Sequence, residues 1–171
     1  MPRCTALVLA FLISATGLAS VALPATDNRD PQPPRLNVNE MEDHAFDAIN
    51  QERKAHGLHP LAHADDLSAI AREHSRDMIT RHYFAHRSPD GDDLRDRFAR
   101  NGINRWRHIA ENIAYNLGYS DPVMVAVENW MQSQGHRQNI LDPRLTESGV
   151  GVAVDAAGRV YFTQVFATRN Q

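Results

Sequence analysis

Cysteine is almost absent from this 171-residue sequence, since Cys4 is the single one. An intrachain disulfide needs two cysteines, and a cysteine-based zinc site needs two or more, so both are excluded. Cys4 also lies inside an N-terminal apolar stretch that we expect to be removed from the mature chain. The mature chain then has no thiol nucleophile, and its fold depends on a hydrophobic core alone.

Lysine and a strong charge imbalance are lacking as well. Lys54 is the only lysine, and the formal net charge is -3. We recognise no arginine cluster interleaved with aromatic residues, so the sequence predicts no nucleic-acid partner. The signature motifs of zinc proteases, serine hydrolases, P-loop proteins and dinucleotide-binding proteins are absent too. The function must therefore be inferred from individual side chains.

The first residues have the pattern of a secretory signal peptide. Arg3 provides a positive charge, an uncharged apolar stretch follows, and small residues suit cleavage after Ala22. We therefore assign 1–22 to a signal peptide and 23–36 to a Pro-rich linker. This predicts a secreted or periplasmic protein with no membrane span after cleavage. The alternative is an uncleaved anchor, because about 20 uncharged residues are long enough to cross a bilayer.

The remaining sequence, 37–169, predicts one domain that begins with helices. Apolar residues at three- and four-residue spacing predict the helices, and Gly57 is expected to end the first of them. Trp106 to Tyr115 mixes aromatic, polar and apolar residues and is assigned no element. Residues that can cap a helix N-terminus predict where the helices begin: Asn39, Asp65 or Asp66, Asp92 or Asp93, and Asp121 before Pro122.

Two stretches near the C-terminus have the period-two alternation of strands, Gly149–Asp155 and Val160–Thr168. The turn-forming residues Ala156-Ala157-Gly158-Arg159 separate them, so the two stretches predict a β-hairpin. Helices first and a hairpin last indicate the α+β class, with a sheet covered by helices.

Three ionisable residues occupy unusual positions: His86 follows a helix, Glu111 lies in an apolar run, and His136 directly follows Gly135. A charge in an apolar run is costly unless it has a partner, and glycine permits a backbone conformation that aims the imidazole. Each residue also has a structural alternative: a helix cap for His86, backbone hydrogen bonds for Glu111, and a turn histidine for His136. His74, on an apolar helix face, is predicted to be a core residue.

Five sequence motifs follow one another in a fixed order: Phe84-Ala85-His86-Arg87-Ser88, Ala110-Glu111-Asn112-Ile113-Ala114, Trp130 with Gly135-His136-Arg137-Gln138-Asn139-Ile140-Leu141, Gly149-Val150-Gly151-Val152-Ala153, and Tyr161-Phe162-Thr163-Gln164-Val165-Phe166. Together they resemble the CAP superfamily of cysteine-rich secretory proteins, antigen 5 and pathogenesis-related proteins, and in particular its bacterial, disulfide-free, SCP-like branch. The resemblance covers roughly 39–168. It implies an α-β-α sandwich whose antiparallel sheet is covered by helices on both sides.

The resemblance also implies a cleft lined by two histidines and two glutamates. His86, Glu111 and His136 match three of these residues, while Ser133 occupies the position of the second glutamate. The resemblance implies that members with all four residues can bind zinc or other divalent ions. We therefore expect His86, Glu111 and His136 to be ligands of a divalent cation such as zinc, with water in the fourth place. The same three residues are the candidates for catalysis.

The resemblance and the lack of a recognisable nucleophile favour a secreted, monomeric binding module. Its partner would be a lipid-like or other small hydrophobic ligand, or a cell-envelope component. The alternative is a hydrolase of peptide, ester or cell-wall bonds, in which Glu111 and a histidine act as acid and base or hold a metal-activated water. A Ser133–His136–Asp142 triad is disfavoured because serine three residues before histidine is common by chance. A structural domain with a vestigial cleft is the third possibility.

Overall fold

The computed structural model describes residues 37–170. The predicted signal peptide (1–22) and the predicted linker (23–36) lie outside the described residues, and both stay predictions. In the described part the chain forms helices and strands in the order α1 Val38–Ala55, β1 Ala62–His63, α2 Asp65–Thr80, α3 Leu94–Arg100, β2 Trp106–Asn116, α4 Pro122–Gln132, α5 Gln134–Ile140, β3 Glu147–Val154 and β4 Val160–Arg169.

The four strands form one sheet in the order β1-β3-β4-β2. The predicted hairpin is confirmed as β3 and β4, which pair antiparallel from Glu147↔Ala167 to Val154↔Val160. β2 pairs antiparallel with β4 and forms an edge of the sheet. The predicted antiparallel sheet is therefore confirmed for the three long strands, whereas the two-residue β1 runs parallel to β3.

Helices cover both faces of the sheet, which confirms the predicted α-β-α sandwich. One face packs against α1, α4 and α5 and contains the larger core, including Ile49, Val127, Trp130, Ile140, Val150, Val152, Phe162 and Phe166. The other face packs against α2 and α3, with Leu67, Ile70, Ala71, Phe98, Val165 and Ala167. Neighbouring residues of β4 belong to opposite cores because side chains alternate across a strand.

The two glycines of β3 let α2 lie directly on the sheet. A Cβ atom added to Gly149 would overlap the backbone of Ser68, and one added to Gly151 would overlap the backbone of Arg72. Any larger residue at these positions would push α2 away from β3. The alternating Gly149-Val150-Gly151-Val152 pattern thus combines a helix-packing face with a core face.

Several predicted helix boundaries need correction. Asn37, not Asn39, caps α1, since its side chain accepts a hydrogen bond from the Asn39 backbone N–H. Neither Asp65 nor Asp66 caps α2: Ala64 is its N-cap residue, without a side-chain cap bond. The predicted starts at Asp93 and Asp121 are confirmed by side chains that accept backbone N–H bonds.

The break between α4 and α5 occurs at Ser133 rather than at Gly135. Ser133 is the one extended residue between the two helices, with φ -85° and ψ 121°. Gly135 lies within α5 and is not among the glycines with positive φ. The expectation that Gly135 aims His136 through a special backbone conformation is therefore wrong, and His136 is a helical residue instead of a turn residue.

Candidate functional site

Glu111 is a buried carboxylate in the middle of the edge strand β2. Its side chain is 4% exposed, and both of its carboxylate oxygens accept hydrogen bonds from other side chains. Oε1 accepts a hydrogen bond from His86 Nδ1 at 2.9 Å, and Oε2 accepts one from Arg97 Nη2 at 2.6 Å. Arg97 also donates to the His86 carbonyl oxygen at 3.3 Å. A charge buried in an apolar strand thus has a cationic partner, as the free-energy cost of burial requires.

His74 is confirmed as a buried residue, and it also contacts the site. Its Nε2 lies 3.1 Å from the Ala85 carbonyl oxygen and 3.8 Å from Glu111 Oε1. Burial lowers the pKa of His74 below 6.5, although the nearby Glu111 carboxylate opposes this effect. On the far side of the ring, Tyr83 donates its hydroxyl proton to Asp77 at 2.5 Å, and burial together with Asp77 raises the pKa of Tyr83.

His136 reaches the site because hydrogen bonds attach α5 to the edge of β2. Asn112 Nδ2 donates to the His136 carbonyl oxygen at 3.2 Å. Asn139 Nδ2 donates to Asn112 Oδ1 at 2.9 Å and to the Glu111 carbonyl oxygen at 3.2 Å. The His136 and His86 rings then lie 6.5 Å apart between centroids, tilted by 49°. Asn139 thus fastens α5 to β2 through both hydrogen bonds.

The two imidazoles differ in their surroundings. The His86 side chain is 55% exposed, and its Nδ1 faces the Glu111 carboxylate. Because a carboxylate accepts the proton of Nδ1, the neutral His86 ring presents an unprotonated Nε2. Burial, and then the proximity of His86, lower the pKa of His136 below 6.5. A lowered pKa favours the neutral form of His136 at neutral pH.

We call His86, Glu111 and His136 together the His–Glu site. Within residues 37–170, no group of three or more His, Cys, Asp or Glu side chains is arranged to hold a metal ion. Both Glu111 oxygens are engaged by Arg97 and His86, so a metal bond of about 2 Å to Glu111 would have to displace one of them. Glu111 is placed to orient the His86 ring through Nδ1 rather than to act as a ligand itself.

The ion pairs of Asp142 join it to Arg144 and His108, not to residues of the His–Glu site. Arg144 holds its carboxylate at 2.7 Å and lowers the pKa of Asp142, and His108 Nε2 lies 3.5 Å from Oδ2. Among the described residues, no hydrogen bond or ion pair joins Asp142 to His136. The Ser133–His136–Asp142 triad thus has no support from these contacts.

An aromatic cleft with a volume of about 580 Å³ includes Phe84, which is two residues before His86 in the sequence. Tyr115 stacks on Tyr161 with 5.5 Å between ring centroids, and Phe84 packs edge-on against Tyr115 at 4.8 Å. Phe84 is 44% exposed and Tyr115 is 48% exposed, so large apolar surfaces face solvent. The cleft is lined by Ile79, His82, Tyr83, Phe84, Tyr115, Asp155, Ala156, Ala157, Arg159 and Tyr161.

A larger groove of about 810 Å³ runs along α5 and the loop that follows it, and none of the three candidate residues lines it. Asn139 lines this groove and also bonds to the Glu111 carbonyl oxygen, so the groove adjoins the site from the other face of the sheet. None of His86, Glu111 and His136 lines the aromatic cleft either.

Arg97 is the site residue that sequence reasoning missed. It is 2% exposed, whereas arginine is rarely buried without a partner. The signal was its spacing, because Leu94, Arg97 and Phe98 fall on one face of α3. An arginine on an apolar helix face predicts a buried acidic partner, and Glu111 was the one acidic residue already placed in an apolar run.

An α-β-α sandwich with a His–Glu site on its edge strand is the architecture that the sequence motifs implied. The sequence profile of the Cysteine-rich secretory protein family (CAP) matches residues 46–166. The chain therefore belongs to this family. Within the described residues, no helix is long and apolar enough to cross a membrane.

Three bacterial proteins are among those that the chain resembles. An uncharacterized Bacillus subtilis protein, YkwD, is 40% identical over 115 residues, which cover 67% of this chain and 43% of that protein. The crystal structure of a Bacillus anthracis extracellular protein containing an SCP domain is 34% identical, with a TM-score of 0.65 over 77% of this chain and 41% of that chain. An outer surface protein of Borrelia burgdorferi shares the fold at 17% identity, with a TM-score of 0.71 over 79% and 97% of the two chains. The chain thus spans less than half the length of the first two.

Proposed function

We propose that this chain is an extracellular binding domain for a small amphipathic ligand. The polar end of the ligand contacts the His–Glu site, and the apolar end of the ligand lies in the aromatic cleft. The observation that carries this proposal is the Glu111–His86 hydrogen bond, which leaves Nε2 of a half-exposed imidazole available for a ligand hydroxyl. An extracellular location is supported by the Bacillus anthracis relative, which is described as an extracellular protein.

The distance between the His–Glu site and the aromatic cleft suits an elongated ligand. Phe84 is two residues before His86, and Tyr115 is four residues after Glu111 on the same face of β2. Four residues of strand span about 13 Å. A ligand with a hydroxyl group at one end and an apolar body of this length would contact both imidazole and aromatic rings. Ligand pockets typically combine an apolar lining with a few polar groups in this way.

A divalent ion such as zinc is the second occupant that the site chemistry suits. His86 and His136 would hold it through ring nitrogens, and Glu111 would orient His86 through the Nδ1 hydrogen bond. Ser133 offers no carboxylate at the fourth family position. The metal would supply a positive charge that binds an anionic or hydroxyl group of the ligand.

Equilibrium binding of a fluorescent sterol and a fluorescent fatty acid tests the proposal. We expect saturable binding of a hydroxyl-bearing probe, and at least tenfold weaker binding after His86→Ala or Phe84→Ala, because each removes one end of the contact. Arg76→Gln, a change of an exposed residue on α2, is the control and should bind like the wild type. No saturable binding of either probe, or wild-type affinity in both the His86→Ala and the Phe84→Ala variant, would contradict the proposal.

A hydrolase is the second candidate, and the same Glu111–His86 hydrogen bond favours it. A carboxylate that holds an imidazole in one orientation is the arrangement of a general acid–base pair. Peptide, ester and cell-wall substrates should be tested with wild type and His86→Ala. A turnover that the substitution abolishes would establish an enzyme, and equal background rates would remove this candidate.

A further inference from the structure

Three of the helices end in the same way, with a residue of positive φ directly after the C-cap residue. At the ends of α1 and α3 this residue is a glycine, Gly57 with φ 73° and Gly102 with φ 75°. At the end of α2 it is His82, with φ 56°. Glycine is the usual residue at this position because it has no Cβ atom that would clash there.

The backbone hydrogen bonds of the three helix ends are equivalent as well. Tyr83 N–H donates to the Met78 carbonyl oxygen at 3.0 Å, and the corresponding bonds at the ends of α1 and α3 are 3.0 and 2.9 Å long. Within residues 37–170, His82 is the one residue other than glycine with a positive φ. The end of α2 therefore needs a left-handed residue, but it does not need a histidine.

The side chain of His82 is available to a ligand. His82 is exposed and lines the aromatic cleft. The hydrogen bond that His82 makes is a backbone one, from its N–H to the Ile79 carbonyl oxygen at 3.3 Å, and no described residue forms a hydrogen bond or ion pair with the imidazole. Histidine occurs in the left-handed region more often than most residues, yet without the freedom of glycine. Residues held in this conformation are concentrated at ligand-binding sites.

The charged side chains of the aromatic cleft already have partners. Arg159 Nε binds Asp155 Oδ2 at 3.0 Å. Asp155 Oδ1 accepts hydrogen bonds from the backbone N–H groups of Ala157 and Arg159, both at 2.9 Å. The Tyr83 hydroxyl donates to Asp77. These groups hold the walls of the cleft together and are not free to bind a ligand.

The hydrogen-bonding side-chain groups that stay free are the His82 imidazole and the hydroxyls of Tyr115 and Tyr161, which have no hydrogen-bond partner within the part of the chain that the structure describes. A neutral imidazole has one donor and one acceptor nitrogen, and a tyrosine hydroxyl both donates and accepts. A ligand hydroxyl also donates and accepts, so it complements all three groups. The aromatic cleft is thus not purely apolar.

We propose that His82 determines which ligands the aromatic cleft accepts, by binding a second hydroxyl group on the part of the ligand that lies among the aromatic rings. This inference rests on the proposed function and narrows the ligand to an apolar molecule with a hydroxyl group near each end. The hydroxyl at the other end would contact the His–Glu site. A site that forms a hydrogen bond with a polar group of its ligand discriminates strongly between ligands with and without that group.

Two probes that differ only in the second hydroxyl test the inference: n-decanol and α,ω-decanediol. Isothermal titration calorimetry measures both affinities. His82→Ala removes the imidazole but keeps a Cβ atom in the left-handed region, whereas His82→Gly removes both. His59→Ala, a change of an exposed histidine outside the aromatic cleft, is the control and should bind both alcohols like the wild type.

Both variants of His82 should bind α,ω-decanediol about tenfold more weakly than the wild type, because its second hydroxyl loses its partner, and n-decanol within about twofold of the wild type. His82→Gly should also unfold at a higher urea concentration than the wild type and His82→Ala, because glycine adopts a positive φ without a steric cost. A variant that is more stable but discriminates less well is the expected result of removing a strained binding residue.

The possible failures are distinguishable. Unchanged affinity for α,ω-decanediol in both variants of His82, or equal weakening of both alcohols, would overturn the inference and leave the proposed function standing. A lower urea midpoint for His82→Gly than for the wild type would also overturn it, since the left-handed histidine would then have no cost for a binding role to explain. Binding of neither alcohol to the wild type would count against the inference and the proposed function together.

Discussion

Arg97 Nη2 lies 2.6 Å from Glu111 Oε2, and the two side chains are 3% and 4% exposed. Arg97 reaches Glu111 from α3, whereas His86 reaches it from the loop before α3. The arginine thereby joins the α2–α3 side of the sheet to the edge strand that carries the site. The Arg97 Nε is buried without a hydrogen-bond partner among the described residues. Both oxygens of Glu111, in contrast, accept hydrogen bonds, so the carboxylate is better satisfied than the guanidinium.

Breaking this buried pair should cost much more stability than breaking an exposed one. Arg97→Met leaves a buried carboxylate without its cation, and we expect a loss of about 3–5 kcal/mol in the free energy of unfolding. Arg97→Met combined with Glu111→Met should lose less than the sum of the single changes, because no unpaired charge then remains. Urea denaturation of the two single variants and the double variant measures both effects.

Arg87→Met is the matched control, because the Arg87–Asp93 pair has side chains that are 64% and 35% exposed. An exposed pair contributes about 0–1 kcal/mol. Equal losses of stability in Arg97→Met and Arg87→Met would contradict the importance assigned to the buried pair.

Acidification should destabilise the protein through His74. Burial lowers its pKa in the folded state below 6.5, the ordinary value that the unfolded chain keeps. The unfolded state then binds more protons as the pH falls through 6.5, so the free energy of unfolding decreases, by up to about 1.4 kcal/mol per pH unit for one group. The lowered pKa of His136 acts in the same direction.

Urea midpoints at pH 7.5, 6.5 and 5.5 measure this slope. His74→Gln removes the buried titrating group and should make the slope shallower, whatever its effect on stability at pH 7.5. An unchanged slope in this variant would show that His74 does not titrate differently in the folded and unfolded states.

The sequence predicted helices α1 to α4 and the hairpin because their apolar periodicity is regular, but it did not predict the helix α5 that carries His136. It did not predict β2, since Glu111, Asn112 and Asn116 interrupt the alternation on both of its faces. These polar residues are tolerated because Arg97, Asn139 and the Pro122 carbonyl oxygen satisfy them. Such partners come from distant segments, and single-sequence periodicity contains no information about them.

The candidate residues were found for a related reason. They are ionisable residues in unusual positions: His86 follows a helix, Glu111 lies in an apolar run, and His136 directly follows a glycine. The structure brings His86 into contact with Glu111 and His136 near His86, but it supports Glu111 with an arginine. Whether these three residues bind a ligand or metal stays a prediction.

Divalent metal binding should depend on both imidazoles and less strongly on Glu111. Titration with cobalt, followed by its visible absorption, should reveal a site in the wild type that His86→Ala and His136→Ala abolish. Glu111→Gln should weaken it by about 10- to 100-fold, the usual effect of losing a residue that orients a ligand. His59→Ala, an exposed histidine outside the site, is the control. Cobalt spectra of His86→Ala identical to those of the wild type would contradict a site at His86.

The close packing of α2 on β3 predicts that Gly151→Ala is strongly destabilising. Its Cβ would overlap the backbone of Arg72, and backbone cannot rotate out of the way as a flexible side chain can. We expect a loss of at least the 1–3 kcal/mol typical of overpacked cores, measured by urea denaturation. A neutral Gly151→Ala variant would mean that α2 can move away from the sheet without cost.

Gly135→Ala is the opposite case, although both glycines belong to sequence motifs of the family resemblance. Gly135 lies within α5, and a Cβ added there meets no atom within 4 Å. Alanine favours a helix over glycine by about 1 kcal/mol, so this substitution should raise the free energy of unfolding. Cobalt and sterol binding should remain at wild-type levels, because the backbone of His136 stays helical. Weaker binding in Gly135→Ala, with stability unchanged or increased, would instead mean that the glycine is needed to position His136.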